Sequence, residues 1–356
     1  MEFREALTIA HVVFSSRLAG GERHCVDLAN AQAALGYRVH VIGTAGSAVQ
    51  AALAPNVEFH GLALPLLRGR RVAALVRRLG AQVCHGHLGP ACKAVAGVPG
   101  VARVGTLHVG YKAHHHARMD ALVCVNRAQF RGLPAERQAC AEVVYNWAPV
   151  RPESRVVPGR LRAELGLQDG QRLVGFLGRL HLTKGVDLLA EAFSRHAPQD
   201  ACLALLGDGP ARAELEACAA RDPRIRVLGQ REDVEQALAD FDLFVSPSRE
   251  DAFPLAVLEA MRAGCPIVAT ETQGPLEMLA GQAARLVPVG DAETLGRAIA
   301  EALQAPRERV SYAMDAFGRD QAVARIVALY RQAARRRVRL PEAVHLPEGH
   351  EPALHV

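Results

Sequence analysis

The residues best suited to chemistry lie in a short loop at 178–185, with the sequence GRLHLTKG. Arg179 and Lys184 place two cations between glycines, directly after an apolar run and before an amphipathic one. Arginine offers a planar fork to phosphate oxygens, and lysine offers a mobile point charge. At the carboxyl end of a strand, such a loop suits a diphosphate. A solvated loop with ordinary surface cations would have the same sequence.

A second candidate is the segment SPSREDAFPLAVLEAM. Pro254 is typical of the first turn of a helix, so Asp251 and its neighbour Glu250 fall in the preceding loop, and Glu259 falls inside the helix. A carboxylate within LAVLEAM is costly to bury without a strong partner, such as a pair of ligand hydroxyls. The simpler interpretation is a surface pair between Glu259 and Arg262, worth about 0.2–0.5 kcal/mol.

Two further patterns are weaker. Gly20 and Gly21, in RLAGGE, follow the first predicted strand and open a helix, where backbone N–H groups favour a phosphate. An ordinary strand-to-helix turn fits them equally well. His85 and His87 in CHGH, and the histidine run at 114–116, could suggest a metal. No Asp, Glu or Cys set accompanies them at metal-ligand spacing, so we predict no metal site.

Short apolar runs alternate with longer amphipathic ones along the chain, which is typical of βαβ units and parallel sheets. In the first half we predict strands near 7–14, 38–43, 82–86, 102–107, 121–125 and 142–145, and helices near 22–35, 69–79 and 127–132. In the second half we predict strands near 173–177, 201–206, 225–228, 242–246 and 266–269, and helices near 185–195, 210–220, 232–240, 255–263 and 291–303. A seam at about 148–160, rich in proline and charge, separates the halves.

This pattern predicts an α/β protein with two doubly wound Rossmann-like domains that face a central cleft. The predicted domains are 1–150 and 151–312, followed by an amphipathic helix at 313–337 and a loose tail at 338–356. In open sheets of this kind, ligands bind outside the carboxyl ends of the strands. We therefore expect the ligand in the cleft between the domains.

Composition and charge exclude several classes of protein. The chain has 356 residues, of which 50% are apolar and 22% charged, and this excludes a disordered chain. No uncharged apolar run approaches the ~20 residues of a membrane helix. The N-terminus resembles a strand rather than a signal peptide, so we expect a cytoplasmic protein.

The charge is unevenly distributed. Residues 1–150 hold 16 Lys and Arg against 8 Asp and Glu, whereas the remainder holds 26 against 29. A basic first half indicates an anionic partner. Because the chain has only 16 aromatic residues, a phosphate or an anionic lipid surface is favoured over nucleic acid.

With these residues assembled, the chain resembles the GT-B glycosyltransferases, specifically family 4, whose members are retaining and use nucleotide sugars. The closer match is in the second half, through GRLHLTKGVDLLAEAF, LLGDGP, VLGQREDV, ADFDLFVSPS and DAFPLAVLEAMRAGCPIVAT. The first half matches more loosely, through RLAGGERHCVDLANAQAALGYRVHVI, VCHGH, GTLH and VVYNW. The resemblance covers about residues 8–332, and it implies a C-terminal helix that crosses back to the first domain.

The resemblance implies a role for each candidate residue. Arg179 and Lys184 would hold the donor diphosphate and stabilise charge on the leaving nucleotide, and Glu259 would accept the ribose hydroxyls. Asp251 stands where the family usually has Glu, and Glu250 could share its role at the sugar. The remaining assignments are the loop N–H groups of Phe253 and Leu255 facing the sugar, His108 at the donor sugar, Gly20 and Gly21 near the diphosphate, and His85 and His87 near the acceptor.

Together these residues predict an enzyme that moves a sugar from a UDP- or GDP-linked donor to a lipid-linked or cell-envelope glycan, such as lipopolysaccharide core or exopolysaccharide. We expect no cofactor, since side-chain cations replace the divalent ion. The basic segment at 68–78 predicts peripheral contact with an anionic membrane surface. Two alternatives keep the fold: a GT-B-type UDP-sugar epimerase, and a non-catalytic sugar-binding relative, which Asp251 motivates.

Overall fold

The computed structural model describes residues 7–63, 66–149 and 156–339. The elements of the first half are β1 (Thr8–Val13), α1 (Gly20–Ala34), β2 (Arg38–Thr44), α2 (Ala48–Ala51), β3 (Glu58–Leu62), α3 (Arg68–Arg78), β4 (Val83–His87), α4 (Gly89–Val95), β5 (Ala102–Leu107), α5 (Ala113–His116), β6 (Ala121–Cys124), α6 (Arg127–Arg131), α7 (Ala135–Gln138) and β7 (Ala141–Val143). The strands form one parallel sheet of seven, in the order β3-β2-β1-β4-β5-β6-β7.

The second half repeats this plan. Its elements are α8 (Arg160–Glu164), β8 (Arg172–Leu177), a 3-10 helix (Leu182–Lys184), α9 (Val186–His196), β9 (Ala201–Leu206), α10 (Arg212–Arg221), β10 (Ile225–Gly229), α11 (Val234–Asp240), β11 (Leu243–Ser246), α12 (Leu255–Arg262), β12 (Ile267–Thr270), α13 (Gln273–Met278), β13 (Arg285–Val287), α14 (Ala292–Gln304), a 3-10 helix (Asp315–Phe317) and α15 (Arg319–Arg339). Six strands form a second parallel sheet, in the order β10-β9-β8-β11-β12-β13.

Helices cover both faces of the second sheet. All six side chains of β9, ACLALL, are buried, as expected for a central parallel strand that packs on two sides. One face carries a core that includes Phe193 of α9 and Ile299 of α14. The other face carries a core that includes Phe241 and Val257 of α12.

The last helix, α15, returns to the first sheet. Val323, Ile326 and Tyr330 lie at helical spacing on one side of α15, and all three are buried. They share a core cluster with Ile9 of β1 and Val104 of β5. The C-terminal helix is therefore part of the first domain's core.

The carboxyl ends of the two sheets face each other. Asn126 Nδ2, just after β6, donates to the carbonyl oxygen of Ala252 at 2.7 Å. Asn146 Nδ2, after β7, donates to the carbonyl oxygen of Phe253 at 3.3 Å. The Tyr145 ring stacks on the Phe253 ring with centroids 5.3 Å apart. The loop after β11 thus rests on the strand ends of the first domain.

The predicted fold class is confirmed, including the crossover helix. Each predicted strand is present with its ends within two residues of the expected positions. Strands β3 and β13 were not predicted, because both are short and lie at the outer edges of their sheets. It also missed the short helices α2, α4, α5, α7, α8 and α13.

The predicted last helix begins later than expected. It starts at Arg319 instead of 313, since residues 315–317 form a separate 3-10 helix. Gly318 follows that helix and separates it from α15. Residues 150–155 of the predicted seam and 340–356 of the predicted tail lie outside the described residues. No helix in the described ranges is long and apolar enough to cross a membrane.

Candidate functional site

The Arg179–Lys184 loop connects β8 to α9 at the carboxyl edge of the second sheet. Gly185, which ends the loop, has a φ of +67°, and a Cβ there would overlap the carbonyl oxygen of Pro247. Only glycine satisfies both conditions. The loop is thereby held directly against the segment that follows β11.

Arg249 ties these two loops together. Its guanidinium donates to both carboxylate oxygens of Asp187 at 2.7 Å and to the carbonyl oxygen of Leu182 at 2.6 Å. Its backbone N–H donates to the carbonyl oxygen of Thr183 at 2.8 Å. Burial alone would raise the pKa of Asp187, but the hydrogen bonds and charge of Arg249, together with hydrogen bonds from backbone N–H groups at the start of α9, lower it. This brace was not predicted, because the partners are far apart in sequence.

The brace brings Lys184 to Asp251. Lys184 Nζ lies 2.5 Å from Asp251 Oδ2, and the Ser248 hydroxyl donates to the same oxygen at 3.3 Å. Arg179 is exposed and makes no ion pair with any described residue, and Glu250 is also exposed. One ion-paired cation, one available cation and two carboxylates therefore lie on the adjoining loops.

The helix α12 carries the remaining second-domain candidates. Phe253 is buried under Tyr145, and Leu255 is the first residue of the helix. Glu259 is only 5% exposed. It lines a cavity of about 490 Å³ together with residues that include Pro158 and Arg309. Arg179 and Lys184 are not among the residues that line this cavity.

The glycine pair forms the first-domain side of the cleft. Both residues open α1. A Cβ on Gly21 would lie 2.9 Å from Leu88 Cδ2 and 3.4 Å from His108 Cγ. A Cβ on Gly20 would lie 3.9 Å from Leu255 Cδ1 of the second domain. The structure therefore brings the glycine pair, His108 and the start of α12 close together.

Behind the glycine pair lies a cluster of buried histidines. Nε2 of His108 is 3.3 Å from Nδ1 of His87, Nε2 of His87 is 3.0 Å from Nδ1 of His11, and Nε2 of His11 is 2.8 Å from Gln32 Oε1. An amide oxygen only accepts, so neutral rings can bond in one direction. In this row each Nε2–H donates to the next group towards Gln32, and Nδ1 of His108 is left without a proton.

The same network continues to α15. Gln32 Nε2 donates to the Tyr330 hydroxyl at 3.4 Å, and that hydroxyl lies 2.6 Å from His85 Nδ1. His85 Nε2 lies 2.8 Å from Thr106 Oγ1. Gln32 makes the Tyr330 hydroxyl an acceptor, and the same hydroxyl also bonds to His85. The crossover helix is thus connected by hydrogen bonds to the core of the first domain.

Burial keeps these rings neutral. It lowers the pKa of His11 and of His108 to about 4, and it lowers those of His24, His85 and His87 well below the usual value. A neutral His108 can exchange hydrogen bonds with a sugar but cannot offset phosphate charge. His85 and His87 are both 0% exposed, so neither side chain reaches the cleft surface. Their predicted role beside the acceptor stays a prediction.

Two groups of side chains have metal-ligand chemistry. His11, Cys25 and His87 place three donor atoms within 4.8 Å of one another. Burial raises the pKa of the Cys25 thiol, which opposes the thiolate that a metal would need, so a metal is disfavoured there. The second group lies on β2 and β3. The run at 114–116 joins no such group among the described residues.

The sequence analysis missed His11, His24, Gln32 and Tyr330. A polar residue inside an apolar strand, such as His11 in TIAHVV, was the available signal. Its partners come from α1, β4 and α15, which no local pattern connects.

The chain matches two family models. Residues 18–157 match "Glycosyltransferase Family 4", and residues 171–305 match "Glycosyl transferases group 1". The D-inositol 3-phosphate glycosyltransferase of Xylanimonas cellulosilytica is 31% identical over 212 residues, 54% of this chain and 49% of the relative. The GDP-mannose-dependent alpha-mannosyltransferase of Mycobacterium tuberculosis is 29% identical over 264 residues, 72% of this chain and 66% of the relative. The chain thus spans less than two thirds of the length of these curated relatives.

Solved structures share the fold. HepE of Anabaena in complex with UDP-glucose has a TM-score of 0.74 at 21% identity, covering 94% of this chain and 100% of that one. WaaG, a glycosyltransferase involved in lipopolysaccharide biosynthesis, has a TM-score of 0.65 at 18% identity, covering 92% of this chain and 95% of that one. Both similarities cover more than nine tenths of this chain.

Proposed function

The chain belongs to glycosyltransferase family 4, and from that premise we propose that it transfers a sugar from a nucleotide-sugar donor to a glycan acceptor. The observation that carries the proposal is the braced pair of loops at the carboxyl edge of the second sheet, where Lys184 and Asp251 lie 2.5 Å apart beside the exposed Arg179. Cations and carboxylates at such an edge suit a ligand that has both a diphosphate and hydroxyl groups.

In the proposed reaction, Arg179 and Lys184 hold the donor diphosphate. The bond from the anomeric carbon to the phosphate oxygen breaks, and negative charge builds up on the leaving nucleotide. Two preorganised cations stabilise that charge without reorganising, so no divalent ion is needed. Retention follows if the acceptor oxygen attacks from the side of the leaving group and its proton passes to the departing phosphate.

The carboxylates are proposed to hold the sugars of the donor. Glu259 accepts hydrogen bonds from the ribose hydroxyls, and Asp251 accepts them from the transferred sugar. In the structure Asp251 is paired with Lys184. Arrival of the diphosphate gives Lys184 a second anionic partner, which leaves Asp251 with acceptor capacity for a hydroxyl. Asp251 thus compensates for its shorter side chain through its position beside Lys184.

The first domain is proposed to bind the acceptor. Relatives of this chain include the lipopolysaccharide core biosynthesis mannosyltransferase LpcC of Rhizobium leguminosarum, 31% identical over 159 residues. Another is the core glycosyltransferase LpsE of Rhizobium meliloti, 34% identical over 142 residues. These relatives support a lipid-linked or cell-envelope acceptor. The GDP-mannose-dependent relative supports a nucleotide-sugar donor, and we propose that the donor is UDP- or GDP-linked.

A membrane-bound acceptor agrees with the surface around α3. Leu66 and Leu67 are 72% and 56% exposed just before this helix. Arg70 and Arg77 are exposed on the helix itself, while its apolar side is buried at Val72. Exposed leucines beside arginines suit the surface of an anionic bilayer, where each cation contributes on the order of 1 kcal/mol. We propose that the enzyme contacts the membrane peripherally through this helix.

Donor binding and donor hydrolysis test the proposal together. The full chain should gain thermal stability with one class of nucleoside diphosphate and its sugar, because a ligand that binds only the folded state raises stability. A transferase is also expected to release some nucleoside diphosphate from the correct donor without an acceptor. Stabilisation without release would instead favour an epimerase or a sugar-binding protein. No stabilisation by any nucleotide sugar would contradict the proposal.

A further inference from the structure

Three side chains with metal-binding chemistry meet at the outer edge of the first sheet. His40 lies on β2, and Glu58 and His60 lie on the edge strand β3. In the strand register His40 is beside Glu58, and His60 is two residues further along, so all three side chains project from the same face. The glycosyl-transfer proposal uses none of these residues.

One ligand atom from each of the three side chains lies within 4.8 Å of the others. His40 Nδ1 is 3.1 Å from Glu58 Oε2 and 3.2 Å from His60 Nε2, and His60 Nε2 is 3.6 Å from the other carboxylate oxygen, Oε1. Zinc bound at its usual distances to nitrogen and carboxylate oxygen separates neighbouring ligands by about 3.3–3.6 Å. The two nitrogens are thus close to the spacing that zinc requires, and the carboxylate supplies the third ligand.

The surroundings hold two ligands firmly and leave one side open. The His40 side chain is 2% exposed and that of His60 is 13%, whereas that of Glu58 is 60% exposed. Two imidazoles fixed on paired strands and one accessible carboxylate leave a fourth position for water. Two nitrogen donors and one carboxylate favour zinc over magnesium or calcium.

We propose that His40, Glu58 and His60 form a Zn²⁺ site that fastens the edge strand β3 to β2. His40 and Glu58 lie near the amino-terminal ends of their strands and His60 lies in the middle of β3, whereas the cleft lies at the carboxyl ends. The site therefore stabilises the first domain and takes no part in sugar transfer.

Two features set the expected strength of this site. His40 Nε2 is buried and has no hydrogen-bond partner among the described residues, and such outer partners commonly contribute 10- to 100-fold in metal affinity. Arg38 and Arg78 are also close enough to act electrostatically on His40 and His60. We accordingly expect a micromolar rather than a nanomolar dissociation constant.

The test is zinc titration of the untagged full chain by calorimetry, after chelator treatment, in wild type and in Glu58→Gln and His60→Gln variants. Wild type is expected to bind one ion, and each variant to bind it at least tenfold more weakly. The matched control is His114→Gln/His115→Gln, which removes two histidines outside the proposed site and should bind as wild type does. Cobalt in place of zinc should show no thiolate charge-transfer band, which separates this site from one that contains Cys25.

Melting temperatures without metal identify any variant that fails to fold. Glu58→Gln keeps the test decisive, because its exposed side chain can change without unfolding the chain. Zinc should raise the melting temperature of wild type and of the control, but not that of Glu58→Gln. Absence of stoichiometric zinc binding in wild type, or unchanged binding in Glu58→Gln and His60→Gln, would overturn the proposal. Neither result bears on donor binding, which is assayed separately.

Discussion

The two walls of the cleft are both built on parallel sheets, but one has charged side chains and the other has neutral ones. The second-domain wall has exposed or ion-paired charges, with Arg179 available and Lys184 bound to Asp251. The first-domain wall has a hydrogen-bonded row of buried imidazoles in which burial holds the pKa of His11 and His108 near 4. The second-domain wall thus has charged groups near solvent, whereas the first-domain wall has neutral rings of which only His108 is part-exposed.

The two walls therefore differ in how their polar groups are held in place. A charged side chain near solvent stabilises a ligand's charge most strongly when its position is fixed before the ligand binds. In the second domain the Arg249–Asp187 bonds fix the position of the two loops. A buried neutral network is rigid before the ligand arrives, because every ring in its row has a partner. Substitutions on the charged wall should therefore change catalysis and donor binding, whereas acid should change the stability of the neutral wall.

Removing either second-domain cation should have the largest effect. Arg179→Ala and Lys184→Ala should each lower turnover on the order of 10²–10³-fold, since one preorganised charge stabiliser commonly contributes about 3–4 kcal/mol in the transition state. Steady-state kinetics on well-folded variants measures this. Arg179→Ala is the cleaner variant, because Arg179 has no ion pair with a described residue to lose.

Arg195→Ala is the control for these substitutions. Arg195 is a 66% exposed arginine of α9 whose partner is Glu191 on the same helix. Its loss should leave turnover unchanged. Near-wild-type turnover in either test variant would show that the second-domain wall does not hold the diphosphate.

Acid should destabilise the first-domain wall. His11 has a pKa of about 4 in the folded chain and an ordinary value of 6.5, so below pH 6.5 the unfolded chain binds a proton that the folded chain does not. The stability is fully present above pH 6.5 and is lost as the pH falls towards 4. The loss from His11 alone reaches about 3 kcal/mol at pH 4.

Urea unfolding between pH 7.5 and pH 5 measures this loss. Trp147 is the only tryptophan of the chain, and its ring centroid lies 4.6 Å from that of His24, so its fluorescence reports on the cluster. Carboxylates such as Asp187, whose pKa is below its usual 3.8, contribute at lower pH. Equal unfolding midpoints at pH 7.5 and pH 5 would be incompatible with neutral, buried imidazoles.

Glu259→Gln should weaken the binding of the nucleoside diphosphate. Hydrogen bonds to a charged group contribute about 1.5–3 kcal/mol, which corresponds to roughly 10- to 100-fold in Kd. Calorimetry with the preferred nucleoside diphosphate measures the change. Glu235→Gln is the control, because Glu235 lines the same cavity and pairs with Arg262. An equal loss of affinity in both variants would show that a general change in the cavity, and not a hydrogen bond to the ribose, weakens binding.

Membrane binding should depend on the first domain alone. Arg70→Gln/Arg77→Gln should weaken binding to anionic vesicles by about tenfold or more, since each arginine contributes on the order of 1 kcal/mol. Co-sedimentation at low and high salt measures this, with neutral vesicles for comparison. Arg195→Gln/Arg297→Gln in the second domain should have no effect. Equally weak wild-type binding to both kinds of vesicle would contradict a membrane role for α3.

Chelation should have the smallest effect, namely none on turnover. The cations proposed at the diphosphate are side chains, so activity should survive EDTA at constant temperature. The melting temperature should fall if zinc occupies the site on β2 and β3. Loss of turnover that Mg²⁺ or Mn²⁺ restores would show that the donor site needs a metal after all.

Most of the fold could be predicted from sequence because its signals are local. Buried parallel strands such as β9 are continuous apolar runs, and their helices have an apolar side at helical spacing. The strands β3 and β13 were missed because an edge strand is only half covered and carries polar residues such as Glu58. The late start of α15 depended on a 3-10 helix that the amphipathic pattern concealed.

The sequence by itself determined which residues carry charge and where loops follow strands, so Arg179, Lys184, Asp251 and Glu259 were all identified as candidates. Only the tertiary structure decided how they are arranged. It paired Lys184 with Asp251, buried Glu259 on α12, and buried His85 and His87 away from the cleft surface. The reason is the distance along the sequence between the residues that interact. Strand and helix patterns arise from neighbours a few residues apart, whereas ion pairs, burial and hydrogen-bond direction depend on elements that only folding brings together.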